Sequence, residues 1–335
     1  MTVDLPVIWA VVILFAIGMY VVMDGFDLGI GMLFPFFPGT EDRDVMVNTV
    51  APVWDGNETW LVLGGAGLLA AFPLAYSVVL SALYIPLVLM LLGLILRGVS
   101  FEYRVVGSQR RRRTWDFTFM AGSYVAAFSQ GVVLGTFVNG LEVADGRYAG
   151  GPLDWLAPFP LFTGLGLVVA YMLLGSTWLL IKTEGPLHDE MRRRTQVWVW
   201  ALLAVIAVLS LWTALAHPAI AERWFSLPNL YFFLPVPLLV VFVAGLLLRA
   251  LQRRRHLAPF LLTLALVFLG YSGLGISIWP NVIPPDISIH DAAAPPSSMG
   301  FTLVGTLLII PVILVYTAFS YWVFRGKVRP GEGYH

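Results

Sequence analysis

The sequence predicts an all-α integral membrane protein with about nine transmembrane helices. Of its 335 residues, 59% are hydrophobic and only 12% are charged, and the mean hydropathy is +0.82. Soluble globular proteins carry roughly 25% charged residues. A soluble core of this length cannot hide so much apolar surface, so the surrounding medium must be lipid, in which helices satisfy their own backbone hydrogen bonds.

Nine stretches of the chain are apolar and long enough to cross a bilayer, which takes about 20 residues. The second and fourth stretches are the least hydrophobic. Only a short turn at 72–75 separates the second from the third, so we expect these two to form a tight hairpin. The predicted spans are 7–34, 50–71, 76–98, 116–140, 159–181, 196–216, 229–249, 257–279 and 302–325.

The basic residues alternate across these spans in a way that predicts the orientation of the chain. Lys and Arg are retained on the cytoplasmic side of a membrane. Of the 20 basic residues, Arg147 and Arg223 fall on one side of the nine-span arrangement and the other 18 fall on the opposite side. We therefore expect the N-terminus outside and the C-terminus inside the cytoplasm, which also requires an odd number of spans.

Three regions are expected along the chain. Residues 1–140 would form a first four-helix bundle, and residues 141–281 a second one. Residues 282–335 would contain an external loop, a ninth, peripheral helix and a cytoplasmic tail. The basic loops after spans 3 and 7 fit this division.

Two of the spans carry pairs of carboxylates, which are costly inside a membrane and usually have a functional reason. Span 1 contains Asp24 and Asp27, and span 2 contains Asp55 and Glu58. Each i, i+3 spacing puts both carboxylates on one helix face. At 1.5 Å per residue, Asp27 lies about 10 Å and Asp55 about 8 Å from the cytoplasmic ends of their spans. The two pairs are therefore predicted to lie at similar depth.

Three hypotheses account for these carboxylates, and residue chemistry alone leaves them open. In the first, the acidic residues pair with Arg97, at the end of span 3, and Gly25 and Gly29 let the helices pack closely. In the second, the carboxylates form a proton path from the cytoplasm, with Asn57 helping to hold water. In the third, they bind a cation in a transporter. Asp116, which begins span 4, lies on the same side.

Cysteine is absent and histidine is scarce, which limits the redox chemistry this chain can hold. No cysteine means no disulfide, thiolate metal site or iron–sulfur cluster. Haem iron is usually held by His, Cys or Met. We therefore expect any haem to belong to a partner chain. The zero net charge gives no indication of a nucleic-acid partner. The histidines all fall in predicted loops, at span ends or at the C-terminus: His188, His217, His256, His290 and His335.

Two motifs in the first two spans resemble subunit II of the cytochrome bd family of quinol oxidases. They are Asp24-Gly25-Phe26-Asp27-Leu28-Gly29 and the segment from Ala51 to Trp60, which reads Ala-Pro-Val-Trp-Asp-Gly-Asn-Glu-Thr-Trp. The resemblance covers nearly the whole chain and is weakest over 185–260. Further agreements occur at 81–84, 96–98, 101–104, 115–117, 280–284, 288–291 and 316–322.

The resemblance implies a nine-helix subunit built from two four-helix bundles and a peripheral helix, in the bacterial inner membrane. Its partner would be subunit I, which carries haems b558, b595 and d. The complex would oxidise ubiquinol or menaquinol, reduce oxygen to water and leave a proton gradient. Some members of the family hold a structural quinone in subunit II, and some have small single-helix subunits. Membrane lipid surrounds the complex.

The resemblance also implies roles for individual residues. In the family, acidic residues of these two motifs are associated with a proton path towards haem d, which corresponds here to Asp24 and Asp55. We predict that Asp27 and Glu58 belong to the same path. The expected supporting residues are Trp54, Asn57, Arg97 and Asp116.

The predicted function is therefore that of a haem-free subunit that supports the catalytic subunit and supplies it with protons. The alternative is a proton- or cation-coupled secondary transporter. Such a transporter requires broken helices at matched positions of two repeats. Gly25 and Gly56 lie in the first two spans and have no evident counterparts in spans 5 and 6.

Overall fold

The computed structural model describes residues 4–106 and 109–331, and almost all of its regular structure is helical. Two small antiparallel hairpins are the exception: β1 (Val143–Ala144) with β2 (Arg147–Tyr148), and β3 (Asn281–Ile283) with β4 (Ile287–Ser288). The predicted all-α class is confirmed. The described helices are α1 (Leu5–Leu33), α2 (Thr40–Asn48), α3 (Trp54–Ala71), α4 (Pro73–Val106), α5 (Gln109–Asn139), α6 (Pro158–Lys182), α7 (Gly185–Ala216), α8 (Pro218–Phe225), α9 (Asn229–Phe233), α10 (Pro235–Gln252), α11 (Ala258–Ile278) and α12 (Pro296–Val323).

Eight membrane-spanning candidates, judged by length and composition, are found in the described part of the chain. They are α1, α4, α5, α6, α7, the α9–α10 segment, α11 and α12. The second predicted span folds as α3, but its first turns carry Asp55, Asn57 and Glu58, which lower its hydropathy. The multi-pass membrane architecture is thus confirmed, whereas the count of nine spans, the orientation and the three-region division stay predictions.

The start of α3 corrects the predicted boundary of span 2. Residues 49–53 form turns rather than helix, so α3 begins at Trp54 instead of residue 50. Asp55 therefore occupies the first turn of the helix and is exposed. The predicted tight hairpin is confirmed, because only Phe72 separates α3 from α4.

Two later spans also differ from their predicted bounds. The helix of span 6 begins at Gly185 rather than residue 196, because ion pairs three and four residues apart stabilise its charged first turns. Span 7 is divided between α9 and α10 at Leu234, directly before Pro235. Proline lacks the amide hydrogen that a continuous helix needs at this point.

The short helix α2, which connects α1 to α3, was not predicted. Nine residues are too few for an apolar periodicity to stand out. The helix buries Val45, Met46 and Val47. This anchoring leaves Arg43 and Asp44 close to the ends of α4 and α5, where both form ion pairs.

Close helix contacts at glycines assemble the core around α6. A Cβ atom on Gly29 would lie 2.0 Å from the carbonyl oxygen of Tyr171, and one on Gly175 would lie 2.7 Å from the backbone of Gly29. Helices α4 and α5 approach similarly at Gly93 and Gly122. Small residues permit such contacts between membrane helices. The expected close approach at Gly29 is confirmed, and it brings the acidic face of α1 into the protein interior.

Candidate functional site: a buried cluster of charges

The centre of the site is Arg97 of α4, whose side chain is fully buried. One guanidinium nitrogen, Nη1, lies 2.5 Å from Oδ1 of Asp24 on α1, and Nη2 donates to Oε1 of Glu58 on α3. Buried ions need a partner, because the desolvation of a lone charge is costly. The contact of Arg97 with carboxylates from both motifs, which the first of the three hypotheses requires, is found in the structure.

A hydrogen-bonded chain connects α1, α3 and α12 beside this ion pair. Asn57 Nδ2 donates to Oδ2 of Asp27 at 2.7 Å and to the carbonyl oxygen of Met23 at 3.2 Å. The hydroxyl of Tyr321 donates to Asn57 Oδ1 at 3.0 Å. Asp27 and Asn57 are buried. Asn57 therefore holds Asp27 in place while its own amide is oriented by Tyr321.

A polar cavity of about 430 Å³ adjoins this chain and opens at the surface. Asp55 and Glu102 contribute carboxylates to its wall, and Asn57 and Tyr321 line it from the side of Asp27. Asp55 thus lies at the cavity rather than among the buried charges. The cavity therefore gives solvent access to Asn57, the residue that donates a hydrogen bond to Asp27.

Trp54 packs against the charged cluster. Its ring stacks on Phe101 with the centroids 4.9 Å apart, and the guanidinium carbon of Arg97 lies 5.8 Å from its centroid. A cation over a Trp ring is attracted by the ring's negative face. A Cβ on Gly98 would come within 3.2 Å of Trp54, so glycine makes room for the ring.

Asp116 does not join the carboxylates of α1 and α3. Its Oδ1 lies 2.6 Å from Nε of Arg104, and its Oδ2 lies 3.2 Å from Nη1 of Arg43. We call this the outer cluster, and the group around Arg97 the inner cluster. The inner cluster comprises Asp24, Asp27, Asn57, Glu58 and Arg97; the outer cluster comprises Arg43, Asp44, Arg104, Arg112 and Asp116.

Sequence reasoning missed a second polar network, one helical turn from Asp24. Gln130 Nε2 donates to the hydroxyl of Tyr20 at 2.6 Å, and the hydroxyl of Tyr171 donates to Gln130 Oε1 at 2.9 Å. The signal that could have found it is Gln130 itself, an amide in the middle of a predicted span. Tyr321 lies in the stretch 316–322 that resembles the family, but the sequence predicts no role for it.

Several polar atoms of the inner cluster stay without a hydrogen-bond partner among the described residues. They are Asp24 Oδ2, Asp27 Oδ1 and Arg97 Nε, all buried. Such atoms are rare in the protein interior and call for an explanation. No group of three or more His, Cys, Asp or Glu suited to a metal ion occurs in the part of the chain described.

The sequence pattern described as "Cytochrome bd terminal oxidase subunit II" matches residues 5–324. The chain belongs to this family. It is a multi-pass protein of the bacterial inner membrane, and the resemblance expected from the two motifs is confirmed.

Curated relatives and a solved structure agree with this assignment. The chain is 29% identical to "Cytochrome bd-I ubiquinol oxidase subunit 2" of Escherichia coli K12, covering 96% of this chain and 94% of that protein. It is 28% identical to "Cytochrome bd ubiquinol oxidase subunit 2" of Bacillus subtilis, covering 92% and 93%. A chain of the bd oxidase from Geobacillus thermodenitrificans has the same fold, with a TM-score of 0.71 and 18% identity over 95% of this chain and 98% of that one.

Proposed function

We propose that this chain is the haem-free subunit of a cytochrome bd-type terminal oxidase, in which the inner cluster takes up protons from the cytoplasm for the reduction of oxygen to water. The observation that carries the proposal is the connection from the open cavity through Asn57 to the buried Asp27. A buried carboxylate next to solvent-accessible polar space is the arrangement that a proton relay in a membrane needs.

The balance of charge in the inner cluster supports a proton-holding role. Asp24, Asp27 and Glu58 would carry three negative charges if all were ionised, against the single positive charge of Arg97. A net negative charge is costly in the membrane interior. Bound protons are the means of neutralisation that the described residues offer, because no second cation contacts these carboxylates among them.

The geometry supports an order for the relay. Asp55 stands at the cavity, Asn57 and Tyr321 form its inner wall, and Asp27 lies behind them. Asp24 follows three residues earlier on the same face of α1. Their unpartnered oxygens, Oδ1 of Asp27 and Oδ2 of Asp24, are each able to accept a proton.

The positions of the histidines support assigning the haems to a partner. His188 lies in the first turn of α7, His217 and His256 follow helix ends, and His290 lies in the loop after β4. None of these described histidines lies in the interior of a helix, where an axial ligand for a membrane-embedded haem would be needed. The described histidines therefore offer no axial ligand of this kind, and no step of this proposal passes through a haem of this chain.

The named relatives support the remaining parts of the assembly. Two of them are described as subunit 2 of a ubiquinol oxidase. By extension, this chain would support a catalytic subunit I that holds haems b558, b595 and d. The complex would oxidise ubiquinol or menaquinol and form a proton gradient. Small single-helix subunits and a structural quinone belong to this proposal as well.

The transporter alternative has less support. It requires helices that are broken at the binding site. Helix α1 instead runs without interruption from Leu5 to Leu33, through both Asp24 and Asp27. The match over residues 5–324 is to an oxidase subunit.

The proposal is tested by replacing Asp27 and Asp55 separately with Asn in the purified complex. Oxygen consumption per haem, haem content from the visible spectrum and the solvent deuterium isotope effect on turnover are measured for each. Glu41→Gln is the matched control, because Glu41 is an exposed carboxylate at the start of α2 without an ion pair to a described residue.

We expect Asp27→Asn to lose at least tenfold in turnover with full haem content, because the residue behind the cavity can no longer carry a proton. Asp55→Asn should lose less turnover than Asp27→Asn, since solvent still reaches the cavity. Its solvent isotope effect should be larger than that of the unmodified complex. Glu41→Gln should behave as the unmodified complex. Full turnover in both Asp variants contradicts the proton role, and a loss of haem with a normal isotope effect favours a structural role.

A further inference from the structure

The loop between α10 and α11 carries three consecutive arginines that have no acidic partner. Arg253, Arg254 and Arg255 are exposed and form no ion pair with a described residue. The sequence explains this, because it has no Asp or Glu between Glu222 and Asp286. Glu184, whose carboxylate feels the charge of the neighbouring His256, is already paired with Lys327 at 3.1 Å.

A second arginine run on the same predicted side behaves differently. Arg192, Arg193 and Arg194 are all paired, with Asp189 or Glu190, on the first turns of α7. Two carboxylates therefore offset most of the positive charge of this run within the chain. The positive charge of residues 253–255 is not offset in this way, so its counter-ion must come from outside the described chain.

The backbone gathers the three arginines around one cavity. Helix α10 ends with the amide of Arg255 bonded to the carbonyl of Ala250 and that of Arg254 bonded to Leu251. This pattern places Arg254 in the left-handed region, at φ 54°, a position that glycine usually occupies. The cavity that results has a volume of about 830 Å³. It is lined by residues 253–258 and Leu261.

The wall of the cavity has one side that can bind an anion and another side that is apolar. Guanidinium groups bind phosphate oxygens in a bidentate manner. The first turn of α11 adds backbone amides that no described side chain caps, and such a helix end favours anions. Leu257 and Leu261 form an apolar side and are 55% and 52% exposed. The loop joins two membrane-spanning candidates, so it lies where lipid phosphate meets acyl chain.

We propose that this cavity binds the headgroup of an anionic phospholipid, with the phosphate on residues 253–255 and an acyl chain along Leu257 and Leu261. Basic pockets at the cytoplasmic ends of membrane helices recognise such headgroups. A free phosphate would use the arginines but gain nothing from the exposed leucines. The apolar side of the cavity therefore favours lipid over a soluble anion.

The test counts bound lipid on the purified complex in neutral detergent by native mass spectrometry. Phosphatidylglycerol, phosphatidylcholine and inorganic phosphate are the probes. Variant R253Q/R254Q/R255Q is compared with R192Q/R193Q/R194Q, which removes the same number of charges from the paired run. At about fivefold per basic residue, the first variant should lose roughly 100-fold in phosphatidylglycerol affinity. The control should lose less than about tenfold in phosphatidylglycerol affinity.

Two further measurements separate lipid from free anion and from misfolding. L257A/L261A should weaken phosphatidylglycerol and leave inorganic phosphate unaffected. If the triple variant does not assemble, R255Q alone is measured, with about a fivefold loss expected. The proposal is overturned if both triple variants lose equally, if phosphatidylcholine binds as well as phosphatidylglycerol, or if inorganic phosphate displaces the lipid at equal concentration.

Discussion

The inner and outer clusters both combine carboxylates with arginine but differ in how completely the charges are paired. In the outer cluster, Asp116 contacts two arginines and Asp44 contacts two, so every carboxylate has its counter-charge. In the inner cluster, one guanidinium serves Asp24 and Glu58, while Asp27 is held only by an amide. The outer cluster therefore fastens α2 to the ends of α4 and α5. The inner cluster leaves one oxygen of Asp24 and one of Asp27 without a hydrogen-bond partner among the described residues.

The comparison also separates two ways of placing charge near a membrane. The outer residues lie at helix ends, and Arg112 and Asp44 keep about a third of their side chains exposed. In the inner cluster, Asp24, Asp27 and Arg97 lie within helix bodies, and all three are completely buried. Removing one charge should therefore cost far more in the inner cluster.

The largest effect is expected for Arg97→Gln, which leaves the inner carboxylates without their cation. Breaking a buried pair costs about 3–5 kcal/mol. We expect most of the complex to be lost from the membrane or to unfold at much lower temperature. Asp24→Asn added to this variant should recover part of the stability. Arg112→Gln is the matched control from the outer cluster, and an equal loss there would remove the distinction between the clusters.

A smaller effect is expected for Asp116→Asn, which breaks the contacts with Arg104 and Arg43 at the edge of the protein. A stability loss of about 2 kcal/mol is expected, since both arginines keep other partners. Arg104 keeps Asp44, and Arg43 keeps two backbone carbonyl oxygens. Thermal unfolding measures it. Oxygen consumption per haem should stay unchanged in the surviving complex. A turnover defect as large as that of Asp27→Asn would show that the outer cluster also carries protons.

Tyr321→Phe tests whether Tyr321 orients the amide of Asn57, which donates a hydrogen bond to Asp27. The change removes one hydrogen bond to Asn57 and should cost about 0.5–1.5 kcal/mol. Turnover should fall by a modest factor, because Asn57 keeps its bond to Asp27 but loses its orientation. Tyr316→Phe is the control, since Tyr316 lines the same cavity and is exposed. Equal turnover in both variants would exclude a positioning role for Tyr321.

The smallest effect is expected at the exposed pair of Glu184 and Lys327, which serves as a baseline for both clusters. Lys327 lowers the pKa of Glu184 below its ordinary value of 4.5. The pair therefore stabilises the fold above that value, and the contribution disappears as the pH falls through the lowered pKa. Unfolding temperatures of the unmodified chain and Glu184→Gln should differ slightly at neutral pH and converge in acid. A difference that persists in acid would mean that the ion pair is not its source.

The sequence predicted those features of the site that a local sequence pattern determines, and it did not predict the others. The spacing of Asp24 and Asp27, and the position of Arg97 at the end of a span, suggested the pairing of these charges as one of three hypotheses. Asp55 was placed too deep, because an apolar window does not show that residues 49–53 form turns. The pairing of Asp116 with Arg43 could not be predicted, because Arg43 comes from the segment between two spans. The supporting role of Asp116 stays a prediction.

The sequence by itself determined that the chain lies in a membrane, that its acidic motifs occupy the first two long helical regions, and that it resembles one oxidase subunit. Composition, the length of apolar segments and short motifs are local properties of the sequence that do not depend on tertiary contacts. Only the tertiary structure decided which carboxylate has which partner. Those pairings depend on the contact of Gly29 with Gly175 and on the docking of α2, and both join residues far apart in the chain.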